Sequence, residues 1–169
     1  MRANYLSKRE TSRLVNEILE TPWGQALGGK RPRQALELRE DDLRIYKVGD
    51  LIVVRLGDAL FPALLEEYNS EALALLPSLI VDMGAVPYIS RGADVMRPGV
   101  RDVEGELRRD EILVVRDERH RKALAIARSL VDRQTFNSME RGKVAANLHH
   151  IGDKVWKLIE KGRRVLEQA

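Results

Sequence analysis

Apolar residues recur along this chain at two different spacings, which predict a mixture of helices and strands. Near the N-terminus, Leu14, Val15 and Ile18 fall at the spacing of one helix face. Ser7 precedes them, with Glu10 three residues after it. In such a capping box each side chain binds the backbone amide of the other residue. The pattern therefore predicts a helix that begins at Ser7.

The following stretch changes to the alternation of apolar and polar residues that is typical of a half-buried sheet. Asp-Asp and Gly-Asp pairs supply turns between the alternating runs. Three strands are predicted, over residues 34–39, 43–48 and 51–56. Pro62 suits the first position of a helix, because its missing N–H needs no partner there. We therefore expect a helix over residues 63–68, with another helical turn over 71–76.

After Pro77 the chain is dominated by longer strand-like runs. They cover residues 78–88, 111–116, 122–130 and 143–151, with a hairpin tip at 117–121 and a helix or turn at 132–139. An apolar stripe from Asp153 onward predicts a terminal helix. Helices and strands are mixed without β-α-β alternation, which predicts an α+β fold with a small barrel in the second half. The expected domains are residues 1–77 and 78–169.

Composition places the chain among globular proteins. Of its 169 residues, 44% are hydrophobic and 33% are charged, and none is cysteine. The absence of cysteine excludes disulfides and thiolate zinc sites and fits a reducing cytosol. No apolar run reaches the roughly 18 residues that span a bilayer, and the N-terminus is too polar for a secretory signal. A cytoplasmic location without membrane contact is expected.

Positive charge is concentrated in the second half. Residues 1–78 carry 11 Lys and Arg against 12 Asp and Glu, whereas residues 79–169 carry 18 against 14. A positive bias confined to one half is compatible with a polyanionic partner on that half. A charge-rich surface that is only solvated gives the same count, so charge leaves both interpretations open.

The most informative segment is VDMGAVPYISRGADVMRPGV, residues 81–100. Its glycines allow a phosphate or a base to approach the main chain closely, because glycine has no Cβ. No side chain in the segment is an evident nucleophile or metal ligand. The segment therefore predicts a binding surface, with no catalytic residue, no metal and no cofactor.

Four motifs in this half resemble a PUA domain, the small pseudo-barrel RNA-binding module of pseudouridine synthases and archaeosine transglycosylases. They are VDMGA (81–85), RGADVMRPGV (91–100), EILVV (111–115) and RGKVAANLHHIGDKVW (141–156). Their order is that of the family, over roughly residues 78–156. The resemblance implies an N-terminal pre-PUA α+β domain followed by a PUA pseudo-β-barrel.

The first half extends this resemblance. A helix, three strands, LFPALLEEY (60–68) and LPSLIVDMGA (76–85) are similar to the pre-PUA plus PUA layout of the malignant T-cell-amplified sequence and ligatin N-terminal family, in its archaeal type. The resemblance implies a translation factor on the small ribosomal subunit. An initiation-factor-like domain accompanies such proteins and would come from a separate protein partner here.

The resemblance also implies that RNA lies against a short helix near Gly92 and the adjacent strand edges. The amides of Gly92 and Ala93 are expected to begin this helix and donate to phosphate. Arg91 and Arg97 flank it and can add guanidinium contacts, or they merely solvate a loop. The candidate RNA-binding residues are Gly84, Arg91, Gly92, Ala93, Arg97, Pro98, Gly99, Lys143 and His149.

His149 leaves two interpretations open. Strict alternation along the last strand places His149 with Lys143 on the face opposite His150, beside the expected RNA groove. A histidine that is hydrogen-bonded for structural reasons fits the sequence equally well. A metal site from His149, His150 and His120 is not expected, because adjacent strand residues point to opposite faces.

The leading functional hypothesis is a non-catalytic RNA-binding protein of the translation machinery, contacting small-subunit ribosomal RNA or the tRNA acceptor end. The alternative is an RNA-binding accessory subunit of a tRNA-modifying enzyme, of the transglycosylase or pseudouridine synthase type. A metabolic enzyme with a PUA tail ranks last, because the first 78 residues are too short for a kinase fold and lack a phosphate loop.

Overall fold

A computed structural model describes all residues from Met1 to Ala169. The chain forms two compact units. The first unit combines residues 1–75 with residues 154–169, and the second consists of residues 76–153. None of the helices has both the length and the apolar character needed to cross a bilayer.

The helices and strands follow one another in mixed order. Before residue 76 they are β1 (Arg2–Tyr5), α1 (Lys8–Leu19), a 3₁₀ helix (Pro22–Leu27), β2 (Leu36–Glu40), β3 (Leu43–Val48), β4 (Leu51–Leu56), β5 (Ala59–Pro62) and α2 (Glu66–Leu75). Residues 76–153 form β6 (Ser78–Val81), α3 (Val86–Ile89), β7 (Val95–Met96), a 3₁₀ turn (Arg97–Gly99), β8 (Val100–Glu104), β9 (Ile112–Asp117), β10 (Ala123–Ser129), α4 (Arg133–Ser138) and β11 (Lys143–His150). The chain ends with α5 (Lys154–Lys161) and α6 (Arg163–Gln168). This confirms the α+β class.

In the first unit, five antiparallel strands form one sheet in the order β1-β2-β3-β4-β5. The predicted strands 43–48 and 51–56 are confirmed residue for residue. The capping box of α1 is also confirmed. The amide of Ser7 donates to Glu10 Oε2 at 2.8 Å, and the amide of Glu10 donates to Ser7 Oγ at 3.1 Å.

The predicted helix at Pro62 is wrong. Pro62 is instead the last residue of β5 and pairs with Val53. Proline is tolerated here because β5 is an edge strand that pairs only with β4, so the missing N–H removes no hydrogen bond to a second strand. All four residues of β5 are buried, so the strand shows no alternation that reveals it in the sequence.

The predicted helical segments 63–68 and 71–76 correspond to one helix, α2, which is kinked at Asn69. The side chain of Asn69 is completely buried. Its Oδ1 accepts the amide of Ile52 at 3.1 Å, and its Nδ2 donates to the carbonyls of Ile52 at 2.7 Å and Ala63 at 2.8 Å. The kink thus places the side chain of Asn69 where it forms hydrogen bonds with backbone groups of Ile52 in β4 and of Ala63 in the following loop. These buried groups would otherwise lack partners.

The terminal helices belong to the first unit, whereas the sequence grouped residues 154–169 with residues 78–153. The apolar stripe of Val155, Leu158 and Ile159 is buried. Gly162 separates α5 from α6, and a Cβ built on it would overlap the Cδ1 atom of Leu38 in β2. A side chain at this position would therefore force the buried side chain of Leu38 to move.

The second unit is built on a six-stranded mixed sheet in the order β7-β11-β10-β9-β6-β8. Its one parallel pair is β6 with β9, and the sheet curls into a half-barrel. The barrel expected for this half is thereby confirmed. The core of this unit is aliphatic apart from Phe136, and includes Leu79, Leu113, Val115 and Ala125.

The predicted strand 78–88 is too long. It ends at Val81, and residues 86–89 form the short helix α3. The change of direction begins at Asp82, because the amide of Ala85 donates to Asp82 Oδ1 at 2.8 Å. The two short strands at 95–96 and 100–104 were not predicted, since glycine and proline punctuate that segment.

Strand β11 contains a bulge at Leu148. His149 pairs with Ile126 and Asn147 pairs with Ala127, so Leu148 has no partner in β10. An extra residue of this kind shifts all following side chains to the opposite face. Strict alternation therefore does not hold at the C-terminal end of β11.

The hairpin tip between β9 and β10 is organised by Asp117. Its carboxylate accepts the amides of Arg119 at 2.9 Å, His120 at 2.5 Å and Lys122 at 3.0 Å. The hydrogen bond from the amide of His120 is the main reason that the pKa of Asp117 lies below its ordinary value. The ionised carboxylate therefore stabilises the folded tip.

Gly162→Ala should lower the free energy of unfolding by about 1–3 kcal/mol, because the added methyl group overpacks against Leu38. Urea unfolding of the full chain measures the change. Lys157→Ala, an exposed substitution on α5, serves as the matched control and should change stability by less than about 0.5 kcal/mol. Equal stability of the two variants would contradict the close packing at Gly162.

Asp117→Asn should destabilise the protein by about 1–3 kcal/mol at neutral pH, because amide hydrogen bonds to a carboxylate are charge-assisted. A depressed pKa stabilises the fold above the unfolded-state pKa of about 3.9. The difference between wild type and variant should therefore shrink as pH falls through the folded-state pKa. Urea unfolding at neutral and acidic pH tests this, and a pH-independent difference would contradict it.

Candidate nucleic-acid interface

A cavity of about 370 Å³ opens on the surface of the second unit. We call it the glycine cavity. Its lining is mostly apolar and includes Val81, Gly84, Tyr88, Asp94, Val95 and Gly99. At its mouth the side chain of Tyr88 is 66% exposed and that of Met96 is 46% exposed. Large apolar side chains left in water beside a concave surface are typical of a binding site.

Two glycines in the lining of the glycine cavity have little room for a side chain. A Cβ on Gly99 would lie 3.3 Å from the Cβ of Ala85, and one on Gly84 would lie 3.2 Å from Asp82 Oδ1. The amide of Asp82 donates to the carbonyl of Gly99 at 2.9 Å, which joins the two walls. Gly84 and Gly99, both candidate RNA-binding residues, therefore lie in the wall of the glycine cavity.

The predicted role of the Gly92 and Ala93 amides as the start of a helix is wrong. Helix α3 ends before them, and both amides are used within the turn that follows it. Gly92 donates to the carbonyl of Ile89 at 3.0 Å, and Ala93 donates to that of Tyr88 at 3.0 Å. These amides are therefore not available to a phosphate.

Gly92 is instead a conformational requirement of the turn. Its φ of +102° lies in the region that favours glycine. A Cβ there would also lie 3.1 Å from Nε2 of His150. Ala93, its neighbour, lines the glycine cavity.

The two arginines of the RGADVMRPGV motif have different surroundings. Arg91 is exposed, and its guanidinium makes no hydrogen bond or ion pair within the protein. Arg97 is half-buried. Its Nε donates to the carbonyl of Phe136 at 3.1 Å, and its guanidinium carbon lies 3.9 Å from the centre of the Phe136 ring. Arg97 therefore holds α4 in place, whereas Arg91 is available to a ligand.

Asn147 is a structural residue of the site that the sequence did not single out. Its backbone amide donates to Asp94 Oδ1 at 2.9 Å, and its Nδ2 donates to the carbonyls of Ile89 and Ala93, both at 3.0 Å. Lys143, an RNA-binding candidate, pairs with the other carboxylate oxygen of Asp94 at 3.2 Å. Residues 89–94 are thereby held against β11.

His149 does not face the glycine cavity. It is completely buried, and its Nδ1 lies 3.0 Å from Asp153 Oδ2, which also accepts the amide of His150 at 2.9 Å. The bulge at Leu148 is the reason that alternation failed here. Of the two interpretations, the structure favours a histidine that stabilises the end of β11.

The aromatic residue best placed for a base is Tyr88, which no sequence pattern indicated. Trp23, Phe61 and Phe136 are buried. Tyr88 follows a proline in a segment that was predicted to be strand, so its exposure had no signal in the pattern. Pro98, another candidate, is exposed in the turn between β7 and β8. No group of three or more His, Asp or Glu side chains is arranged to hold a metal ion.

Comparison with known families and proteins agrees with this architecture. The PUA domain family matches residues 77–151, which is nearly the whole second unit. Translation machinery-associated protein 20 of Saccharomyces cerevisiae is 30% identical over 125 residues, which cover 69% of this chain and 67% of the yeast protein. The chain belongs to the family of translation machinery-associated protein 20 and the malignant T-cell-amplified sequence proteins.

Other members of the family extend the comparison. Malignant T-cell-amplified sequence 1 of Rattus norvegicus is 24% identical over 85% of this chain and 83% of its own. A Methanocaldococcus jannaschii protein is 35% identical over 78 residues, and there the alignment spans only 48% of the relative's length. The archaeal relationship expected from the sequence is therefore present.

A solved structure shows the same fold. The crystal structure of a protein from the hyperthermophilic archaeon Pyrococcus horikoshii superimposes with a TM-score of 0.76 at 26% identity. The match covers 93% of this chain and 99% of the archaeal chain. Both the family relationship and the fold class implied by the sequence motifs are confirmed.

Arg97→Gln should lower the free energy of unfolding by roughly 1–2 kcal/mol, because it removes a backbone hydrogen bond and the cation–π contact with Phe136. Arg91→Gln is the matched control and should leave stability within about 0.5 kcal/mol of wild type. Thermal or urea unfolding distinguishes the two. If both variants are as stable as wild type, Arg97 does not secure α4.

Proposed function

We propose that this protein is a non-catalytic RNA-binding component of the translation machinery, and that it holds an unpaired nucleotide at the glycine cavity. Its RNA would be small-subunit ribosomal RNA or the acceptor end of tRNA, in the cytoplasm. The observation that carries the proposal is an open, mostly apolar cavity with an exposed aromatic ring at its mouth and an unpaired arginine close by in sequence.

The chemistry of the cavity matches the chemistry of an unpaired nucleotide. Proteins that bind single-stranded RNA commonly stack bases on aromatic side chains and neutralise the backbone with arginine or lysine. Tyr88 offers such a ring, and the apolar walls of the cavity accept the face of a base. Arg91 retains all its guanidinium donors for a phosphate, whose geometry a guanidinium fork matches.

The same lining supports a binding role better than a catalytic one. Asp94 is the single carboxylate that lines the cavity. Both of its oxygens are engaged, one by Lys143 and the other by the amide of Asn147. A carboxylate held in this way is poorly placed to exchange protons with a substrate.

The family relationship supports the place of action. The yeast relative is named for its association with the translation machinery, and the PUA resemblance implies RNA as ligand. We therefore extend the proposal to the small ribosomal subunit, with an initiation-factor-like protein acting as a separate partner.

Sedimentation tests the proposal directly. The purified protein should sediment with isolated small ribosomal subunits at low salt and dissociate as salt rises, because phosphate contacts release counterions. Absence of binding to both small subunits and tRNA would overturn the proposal. Copurification with a tRNA-modifying enzyme in place of ribosomes would favour the accessory-subunit alternative.

Tyr88→Ala should weaken RNA binding by about 1–3 kcal/mol, the usual value for one base stacked on an aromatic ring. Stability should be unchanged, since the side chain is exposed. Tyr5→Ala removes a similarly exposed tyrosine from β1 in the first unit and serves as the matched control. Fluorescence anisotropy with labelled tRNA and filter binding with small subunits measure the effect, and equal affinity of both variants would exclude stacking at Tyr88.

A further inference from the structure

A second concave surface lies in the first unit, between α1 and the loop that precedes β2. We call it the basic groove. It has a volume of about 380 Å³ and is lined by Lys8, Ser12, Val15, Arg31, Pro32 and Arg33. Lys8 and Ser12 are one helical turn apart on α1, so they form one wall, and residues 31–33 form the other.

The loop wall is held in position by its own contacts. One terminal nitrogen of Arg31 donates to Asn16 Oδ1 on α1 at 2.6 Å. The amide of Lys30 donates to the carbonyl of Leu27 at 3.3 Å. Gly28 and Gly29 both have positive φ values, of 68° and 75°, which turn the chain into the loop. The basic groove is therefore preformed, and Arg31 keeps most of its donors for a ligand.

The charge of the basic groove is unbalanced. Its lining contains three cationic side chains and no carboxylate. Lys8 and Arg33 make no ion pair or side-chain hydrogen bond within the protein. Some basic side chains of the first unit are neutralised by carboxylates, as in Arg55 with Glu17 and Lys161 with Glu40, whereas no carboxylate lines the basic groove. Unpaired cations that converge on a concave surface attract an anionic ligand.

Two of the backbone amides at the start of α1 are already bound within the protein. The amide of Glu10 is already bound by Ser7 Oγ, and the amide of Ser7 is bound by the carboxylate of Glu10. Binding would therefore depend on the side chains of Lys8, Arg31 and Arg33, with the hydroxyl of Ser12 as a further donor.

We propose that the basic groove binds the phosphodiester backbone of RNA and gives the protein a second RNA contact in its first unit. Arginine forks match phosphate oxygens, and Lys8 supplies a further charge without base specificity. This inference rests on the proposed function only in the choice of RNA as the anion. A free phosphate or nucleotide shares the chemistry, so the experiment must separate the two sources.

The experiment titrates the full chain with a single-stranded uridine oligomer of about ten nucleotides, a length within the usual site size of single-strand binders. Amide NMR signals report the location of binding. Signals of residues 8–16 and 30–33 should shift and saturate. Tyr88→Ala should leave these shifts in place, so a failure at the glycine cavity is distinguishable from a failure here.

Salt dependence measures the charge contribution. Each phosphate contact on a single strand contributes about 0.7 to the slope of log affinity against log salt. Arg31→Gln with Arg33→Gln should therefore reduce the slope by about 1.4, and Lys8→Gln, which breaks no contact within the protein, by about 0.7. Arg2→Gln with Arg39→Gln, a cross-strand pair exposed on β1 and β2, is the charge-matched control and should leave the slope unchanged.

Three results would overturn the assignment. One is the absence of shifts at residues 8–16 and 30–33 on addition of the oligomer. Another is an equal loss of slope in the control variant, which would show diffuse electrostatic attraction. The third is inorganic phosphate that gives the same shifts at the same total phosphate concentration, which would make the basic groove a site for free phosphate.

Discussion

The carboxamide of Asn147 fixes the segment on which the glycine cavity is built. Its two N–H donors satisfy the carbonyls of Ile89 and Ala93, and its main-chain amide binds Asp94. Each such hydrogen bond contributes about 0.5–1.5 kcal/mol, and the three together hold residues 89–94 against β11. With this segment held in place, Tyr88 and Ala93 lie at the cavity, and Arg91 remains directed to solvent with no partner in the protein.

The two arginines of the RGADVMRPGV motif have different roles because their surroundings differ. The guanidinium of Arg97 lies over the ring of Phe136 and donates to the Phe136 carbonyl in α4, so Arg97 stabilises the fold. Arg91, six residues earlier, has no such neighbour. The motif contains both as flanking cations. The family resemblance made Arg97 the less secure RNA contact of the two, but it did not indicate the structural role of Arg97. The two arginines differ because α4, which is distant in sequence, contacts Arg97.

The fold was predictable from the sequence where a helix or strand is determined by residues close to one another in the chain. The capping box at Ser7 and the hairpin strands 43–48 and 51–56 depend on near neighbours, and they form as the pattern indicates. Pro62 was misplaced because its edge position in the sheet is a non-local feature. For His149 the sequence left two interpretations open, since the bulge at Leu148 that distinguishes them is not visible in the pattern. Gly84 and Gly99, two of the predicted site residues, line the glycine cavity, but the roles of Gly92 and Ala93 depend on a turn that the spacing of glycines does not reveal.

The grouping of residues 154–169 with the first unit has a consequence for how the protein is synthesised. The sheet that contains Leu38 is covered by helices from the last part of the chain, and Lys47 donates to the carbonyls of Leu166 and Ala169. Residues 76–153 are contiguous, so they can acquire their structure while the chain is still emerging. The strands of the first unit are translated earlier, but the part of their sheet around Leu38 stays uncovered until residues 154–169 have been synthesised. These nascent strands must therefore stay soluble throughout that interval, which places a selective demand on the charged residues interspersed along them.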